Sequence, residues 1–361
     1  MTGHPDSRVA VCAHVRLPSL APLARSIFGL AVFACGSRTE LRVDHVLIAH
    51  DAGEPNIDAA PCSTEQPWLI FELSGGTSTS LYAMRADGTH GHVLPVAPNG
   101  GSASISIDGT QLFYVTFTNP ADAGYQQALL AQNLSNGTTR TLVSGPYENV
   151  APNYNVLSYS ALSPDGQTLA YTYGYDVRLI NIDGSNDRPL LQTSNDDIPI
   201  YGHPAFTSDS ATVLFGVDSA FGSIRVDGSD IETLVTEDGS GPEFPNVSLS
   251  PDGLRVASAI GCADLDAGLG NATLRVYAFS SLPAPCASGR VVTILDESSP
   301  SMSGGPNPAW GPSGLIAYGS GNDVYVVDPD GGAPRNMTRD LTADAGSAFD
   351  PIWAPTCAPI P

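Results

Sequence analysis

The chain has 361 residues, a formal charge of −22, 42% hydrophobic residues, 37 Gly and 30 Pro. All 15 basic residues are Arg, which excludes a Schiff-base lysine, a Walker-type phosphate lysine and a lysine general base. Nucleic acid is excluded as a partner, because phosphate binding depends on clustered positive charge. The acidity reads instead as a solvated surface that aids solubility. The length allows one large repeat domain or two ordinary ones.

Near the N-terminus, Arg16 and Arg25 precede the apolar run Ser-Ile-Phe-Gly-Leu-Ala-Val-Phe-Ala (26–34), which ends at Cys35-Gly36-Ser37. A basic flank, a short apolar run and a small residue before the break describe a secretory signal. The run is shorter than the about 20 apolar residues that span a bilayer. With Val32 and Ala34 before it, Cys35 resembles the end of a bacterial lipobox, which implies its acylation. Phe33 departs from the usual small or β-branched residue, and an ordinary signal peptide with an incidental Cys is the alternative reading. Gly36 in place of Asp implies outer-membrane delivery, by resemblance to enterobacterial sorting. Residues 1–34 are therefore assigned to a signal, 35–66 to a tether and 67–361 to the folded body. The membrane is met through the lipid anchor only.

The folded body is organised around copies of one stretch, Tyr159–Leu191. Within it, three short apolar runs with rough polar alternation are divided by the turns Asp165-Gly166 and Asp183-Gly184. Alternation of that period suits strands with one buried face, and Asp-Gly suits a type I′ hairpin turn. The Leu162-Ser-Pro-Asp-Gly166 element recurs as Ile105-Ser-Ile-Asp-Gly109, Phe206-Thr-Ser-Asp-Ser210, Leu249-Ser-Pro-Asp-Gly253, Trp310-Gly-Pro-Ser-Gly314 and Trp353-Ala-Pro-Thr-Cys357. This spacing is that of propeller blades. Second strands are predicted at Gln111–Phe117, Thr168–Tyr173, Thr212–Val217, Arg255–Ile260 and Leu315–Gly319. Trp353 begins a blade that the C-terminus abandons, whereas Trp68–Leu73 and Ser80–Arg85 lack a first strand. One blade is thus built from both ends. The prediction is an all-β, six-bladed β-propeller of four-stranded antiparallel blades, its ring closed by strands from both termini.

The pattern resembles the TolB-type propeller repeat. The closest matches are Ser163-Pro164-Asp165-Gly166 with Leu169-Ala170-Tyr171, and Asp183-Gly184-Ser185-Asn186 with Arg188-Pro189-Leu190, joined by Pro308-Ala309-Trp310 and Pro351-Ile352-Trp353. The resemblance covers about residues 67–357 and implies the fold. It does not extend to the α/β domain that precedes the propeller in TolB, where only the tether stands here. Function is carried by sites grafted on such folds.

Few residues suggest chemistry. The Asp-Gly turns lack the oxygen ladder of an EF-hand. His90-Gly91-His92 has no third metal ligand nearby in sequence and reads as a solvated turn. No Gly-x-Ser-x-Gly elbow exists, and Asp196-Asp197 and Glu237-Asp238 read as loop acids. No cofactor is expected. The inner strands and their approach loops place Tyr159, Tyr201, His203, Asn246, Asn307 and Asp350 at the channel mouth, a plausible binding lining. A monomeric binding platform of the cell envelope is expected, taking an envelope protein or a small ligand there. The alternative is a propeller-type carbohydrate lyase or hydrolase using His203 and channel acids.

Four cysteines remain for an oxidising compartment. Cys62 and Cys357 bracket the composite blade and are expected to lock it. Cys262 and Cys286 then pair by elimination, against local geometry. They follow the second and third strands of one blade, at opposite ends of a hairpin whose strand spans roughly 17 Å. A disulfide wants Cα atoms under about 7 Å apart, so the loop from Gly261 to Asn271 is expected to fold back along the blade.

Overall fold

The computed structural model describes residues 66–361 except 76–77, 120–123, 151–152, 193–201, 218, 239–245, 263–271, 296–305 and 344–345. The expected signal, nearly all of the tether, Cys35, Cys62 and Tyr201 lie outside the described residues. Among the described residues, no helix is long and apolar enough to cross a membrane.

Six four-stranded antiparallel sheets form the blades. Blade 1 takes its inner strand Ser347–Ala354 from the C-terminal end, followed outward by Trp68–Gly75, Ser78–Arg85 and His92–Val93. Blade 2 is Gly100–Ile105, Gln111–Thr118, Gln126–Asn133 and Thr139–Pro146, and blade 3 is Leu157–Leu162, Thr168–Tyr173, Asp176–Asn181 and Arg188–Leu191. Blade 4 is Ala205–Phe206, Thr212–Val217, Ala220–Arg225 and Glu232–Thr236. Blade 5 is Asn246–Leu249, Arg255–Gly261, Ala272–Ala278 and Arg290–Ile294, and blade 6 is Ala309–Trp310, Ile316–Ser320, Asp323–Val327 and Arg335–Asn336. A short hairpin, Glu148–Val150 with Asn153–Asn155, stands between blades 2 and 3; the repeat pattern does not mark it.

A sheet of this kind has two apolar faces and cannot bury them alone. Six apolar clusters accordingly lie one between each successive pair of blades. Ile70 and Leu81 meet Leu112 and Tyr114 between blades 1 and 2, and Phe113 and Leu129 meet Leu157 and Tyr171 between blades 2 and 3. The series continues through Val177 with Phe215, Phe221 with Ile260 and Leu274 with Trp310. Leu69 and Phe71 against Val324 and Val326 close the circle. Each such side chain contributes about 1.5–3 kcal/mol by burial, so stability resides in the contacts between blades.

The recurrent turns are not type I′, which needs positive φ at both central residues. Asp165 and Asp183 keep negative φ, and the residue after the aspartate crosses over instead, Gly166 at φ 70, Gly184 at φ 87 and, in the blade 4 turn, Ser210 at φ 58. In the first turn the Gly166 N–H donates to Ser163 C=O at 2.8 Å, a type I arrangement followed by a left-handed glycine. Side chains explain why Ser-x-Asp recurs. The Ser163 hydroxyl donates to Asp165 at 2.5 Å and accepts from the Thr168 N–H at 2.9 Å, while Asp165 accepts from the Gln167 N–H at 3.0 Å. The same web is built by Ser106 with Asp108, Thr207 with Asp209 and Ser250 with Asp252. The turn is thus self-contained.

Arginines on the outer strands tie blade to blade. Arg188 of blade 3 donates to Val226 C=O of blade 4 at 2.6 Å. Arg140 of blade 2 does the same to Ile182 C=O of blade 3, and Arg335 of blade 6 to Ala86 C=O of blade 1. Each acceptor immediately precedes an Asp-Gly turn, so the forked guanidinium links two repeats at matching places.

Cys262 and Cys286 are disulfide-bonded, with Cα atoms 5.6 Å apart. The distance problem is solved by the segment after the third strand. Residues 279–289 leave that strand's end and lean on blade 4, where the Ala284 N–H donates to Leu234 C=O at 2.9 Å. They then return between blades 4 and 5, burying Cys286 beside Gly261. Cys357 is also disulfide-bonded, and Cys62, the partner expected from sequence, lies outside the described residues.

Candidate functional site

In every blade one residue stands four positions before the Ser, Thr, Gly or Ala that opens the first turn. These are Asp350, Ser102, Tyr159, His203, Asn246 and Asn307 in blades 1 to 6. All six fall within the inner strand or two residues before it, so the propeller gathers them around its axis. In blades 1, 2 and 3 the inner strand bulges at this position, and Asp350, Ser102 and Tyr159 take left-handed φ values of 49°, 50° and 34°. Bulges re-aim side chains, and left-handed non-glycine backbone is characteristic of functional sites.

The six do not stand apart. The Asn246 side-chain oxygen accepts from the His203 backbone N–H at 2.8 Å, and the His203 ring leans on the Tyr159 ring with centroids 4.1 Å apart. The Asn307 amide donates to Asp350 Oδ1. His203 Nε2 stands 3.9 Å from Asp350 Oδ2, although the two belong to blades on opposite sides of the ring.

A seventh member comes from a second strand. Glu72, in Trp68–Gly75, is 7% exposed, accepts from the Ser102 N–H and hydrogen-bonds Asp350. Burial holds its carboxyl well above the usual range; the nearby Asp350 charge and their shared hydrogen bond add to this, while the Ser102 N–H opposes it. Gly101 makes room for the arrangement, since a Cβ there would stand 2.5 Å from Glu72 Oε2.

Below this ring a cavity of about 280 Å³ runs along the axis, lined by all six inner strands from His203 and Asn307 to Phe206, Trp310 and Trp353. Two buried polar atoms at its upper end, His203 Nε2 and Asn307 Oδ1, have no hydrogen-bond partner. Asn307 is 4% exposed.

The structure therefore brings His203, Asn307 and Asp350 into one constellation and sets Tyr159 and Asn246 against it. Tyr201 lies outside the described residues. Sequence reading missed Ser102 and Glu72. The register that marks the other five also marks Ser102, but a small residue there drew no notice. Glu72 sits in an apolar strand with no repeat equivalent to flag it. The other sequence candidates are structural or lie elsewhere. His92 packs edge-on to Trp68 at 5.8 Å, and Thr89 hydrogen-bonds the His90 ring at 2.9 Å. Asp238 lies near Cys262 and Cys286, but their sulfurs are spent in the disulfide, and Glu237 accepts from the Gly261 N–H at 2.6 Å. Asp196 and Asp197 lie outside the described residues.

Fold and site together define a six-bladed β-propeller with a polar ring at one end of its channel. No family model matches the sequence, and no curated protein matches it. Among solved structures, TolB from Acinetobacter baumannii is similar with a TM-score of 0.58 and 17% identity, over 80% of this chain and 67% of its own. A chain of a nidogen/laminin complex is similar with a TM-score of 0.57 and 10% identity, over 80% of this chain and 99% of its own. In fold, the protein is a TolB-like propeller.

Proposed function

We propose that this protein is a lipid-anchored propeller of the cell envelope that binds a partner at the channel mouth and carries out no chemistry of its own. The observation that carries the reading is the ring itself. One residue from each blade, aromatic, amide, imidazole, hydroxyl or acid, stands at the same register, three of them on bulges that only a constrained backbone maintains. A lining of this kind offers stacking and hydrogen bonding, which suits recognition. The TolB-like fold supports a protein-interaction platform, and the lipobox-like stretch ending at Cys35 supports the envelope.

Two measurements test it. Labelling with a fatty-acid analogue should tag the wild type and not Cys35→Ala; equal labelling would remove the anchor from the reading. A photo-crosslinker placed at Tyr159 in the native envelope should give one discrete adduct, whereas the same group at Ile107, exposed on a first turn, should give none. Turnover of an envelope or plant polysaccharide that depends on His203 would replace the platform with an enzyme.

A further inference from the structure

Most polar side chains that line the axial cavity already have partners. Ser104 and Ser160 hydrogen-bond each other at 2.9 Å, and Ser248 Oγ accepts from the Trp310 N–H at 2.9 Å. The ring nitrogens of Trp310 and Trp353 donate to Gly314 C=O and Ala309 C=O, each at 3.0 Å. Among the described residues of the lining, two buried atoms are left over at one end, His203 Nε2 and Asn307 Oδ1. The Asn307 amide nitrogen is committed to Asp350 Oδ1, so the open atom is the oxygen, which can only accept. A buried acceptor without a donor costs free energy. Set in a cavity wall, it is a place for a donor carried by a ligand.

We infer that the cavity takes one small amphiphilic amine, its ammonium head donating to Asn307 Oδ1 and His203 Nε2 and its apolar body lying against Phe206, Trp310 and Trp353. The lining selects this class. Its unmet hydrogen bonding is confined to one end, so a sugar or polyol would carry hydroxyls past the aromatic side chains with nothing to pair them. An anion is excluded by charge: Asp350 Oδ2 stands 3.9 Å from His203 Nε2, and no Arg lines the cavity. The same carboxylate favours a cationic head over a neutral hydroxyl, because charges a few Å apart away from bulk water attract strongly. The imidazole takes part as the neutral tautomer whose Nε2 accepts. A volume of about 280 Å³ falls just below that of pockets for drug-sized ligands, so the body is small. The inference rests on reading the ring as a binding site and names what its inner side takes.

Full-chain protein is titrated with benzylamine, benzyl alcohol and benzoate, and binding is followed by ligand-observed NMR at about 0.1 M and about 1 M salt, the higher of which screens surface charge. The expected result is one saturable site per chain for benzylamine that persists at high salt. Benzyl alcohol should bind at least roughly 10-fold more weakly for want of the charge, and benzoate not at all. Asp350→Asn should weaken the amine by a similar factor, and Asn tolerates the left-handed φ of 49° at that position. Ala161→Leu fills the cavity wall without touching the polar end and should abolish binding, so it tests the site even if Asp350→Asn fails to fold. Equal affinity for amine and alcohol would overturn the inference, as would the absence of saturable binding. Salt-sensitive binding that ignores both variants would mean amine on surface acids only and would overturn it as well. If the amine fails while a crosslinker at Tyr159 still gives its adduct, this inference falls and the platform stands; the reverse outcome removes the platform alone.

Discussion

His203 and Asp350 come from blades on opposite sides of the ring, yet their side chains stand 3.9 Å apart. Together with Asn307 and Glu72 they form one polar cluster, and His203 and Asn307 also line the axial cavity.

The position of Glu72 rests on Gly101. A Cβ at residue 101 would meet Glu72 Oε1 and Oε2 at 2.6 and 2.5 Å, so Gly101→Ala should push the carboxyl away and break its bond to the Ser102 N–H. Overpacking of this kind costs about 1–3 kcal/mol. Glu72→Ser in the same chain should recover much of the loss, because the clash is then gone. Thermal melts of the two single variants and the double variant check this, and additive losses would show that Gly101 matters for another reason.

Turn aspartates make the fold sensitive to acid. Hydroxyls hold Asp87, Asp183 and Asp227 below the usual carboxylate range, from Thr89, Ser185 and Ser229. Thr207 and Ser250 do the same for Asp209 and Asp252. A depressed folded pKa stabilises the fold above the unfolded value of about 3.9 and loses that contribution as pH falls through the folded value. Melting temperature should therefore drop below about pH 4. An Asp183→Asn, Asp227→Asn double variant keeps the turn acceptor but cannot titrate, so its curve should be flatter between pH 4 and pH 3. Superimposable curves would assign acid sensitivity to other groups.

The Cys262–Cys286 bond spans 24 residues and anchors the segment that leans on blade 4 through Ala284 and Leu234. A loop of that size is worth about 3 kcal/mol by chain entropy. A Cys262→Ser, Cys286→Ser variant should lower stability by about 2–4 kcal/mol in urea unfolding. Proteolysis should begin in residues 279–289, since their hold on Gly261 is lost. Unchanged protection there would mean that packing in the cluster between blades 4 and 5 suffices.

The sequence made the architecture legible because each repeat carries its own hydrogen-bonded turn. Ser163, Asp165 and Gly166 satisfy one another locally, so the motif survives wherever the turn does. The site was less legible for a physical reason. Its members belong to different repeats, and only their shared register, four residues before the turn, betrays them. Tyr159, His203, Asn246, Asn307 and Asp350 could be found that way. Glu72 could not, since a carboxyl within Trp-Leu-Ile-Phe-Glu-Leu looks like an outward-facing strand residue until Asp350 is placed beside it. The path of the Cys286 segment was also hidden, because no local pattern shows a loop leaning on a neighbouring blade.

The seam of the ring is where both chain ends meet, and one side chain already bridges them. Arg85 Nη1 donates to Gln66 C=O at 2.7 Å and to Thr356 C=O at 3.1 Å, with its guanidinium 4.0 Å from the centroid of the Trp68 ring. Strand pairing runs alongside, from Trp68 opposite Ala354 to Ser74 opposite Ser347. Beyond it, Ala358 is buried and would touch any Cβ added to Gly109, at 2.5 Å. These contacts hold the C-terminal turn in place, but each can open when the terminal strand frays. Cys357 sits in that turn and is disulfide-bonded, so we predict Cys62 as its partner, which would make the closure covalent. A loop of such length gives at most about 5 kcal/mol by chain entropy. Non-reducing peptide mapping should recover the Cys62 and Cys357 peptides joined. A Cys62→Ser, Cys357→Ser variant should melt earlier and be cut first within blade 1, and Arg85→Ala should cost more in that background than in the wild type, because the guanidinium is then the main remaining clasp. Peptides showing Cys357 joined to another cysteine, or Cys62 free in protein taken from cells, would refute the lock and leave Arg85 and the shared sheet to close the ring.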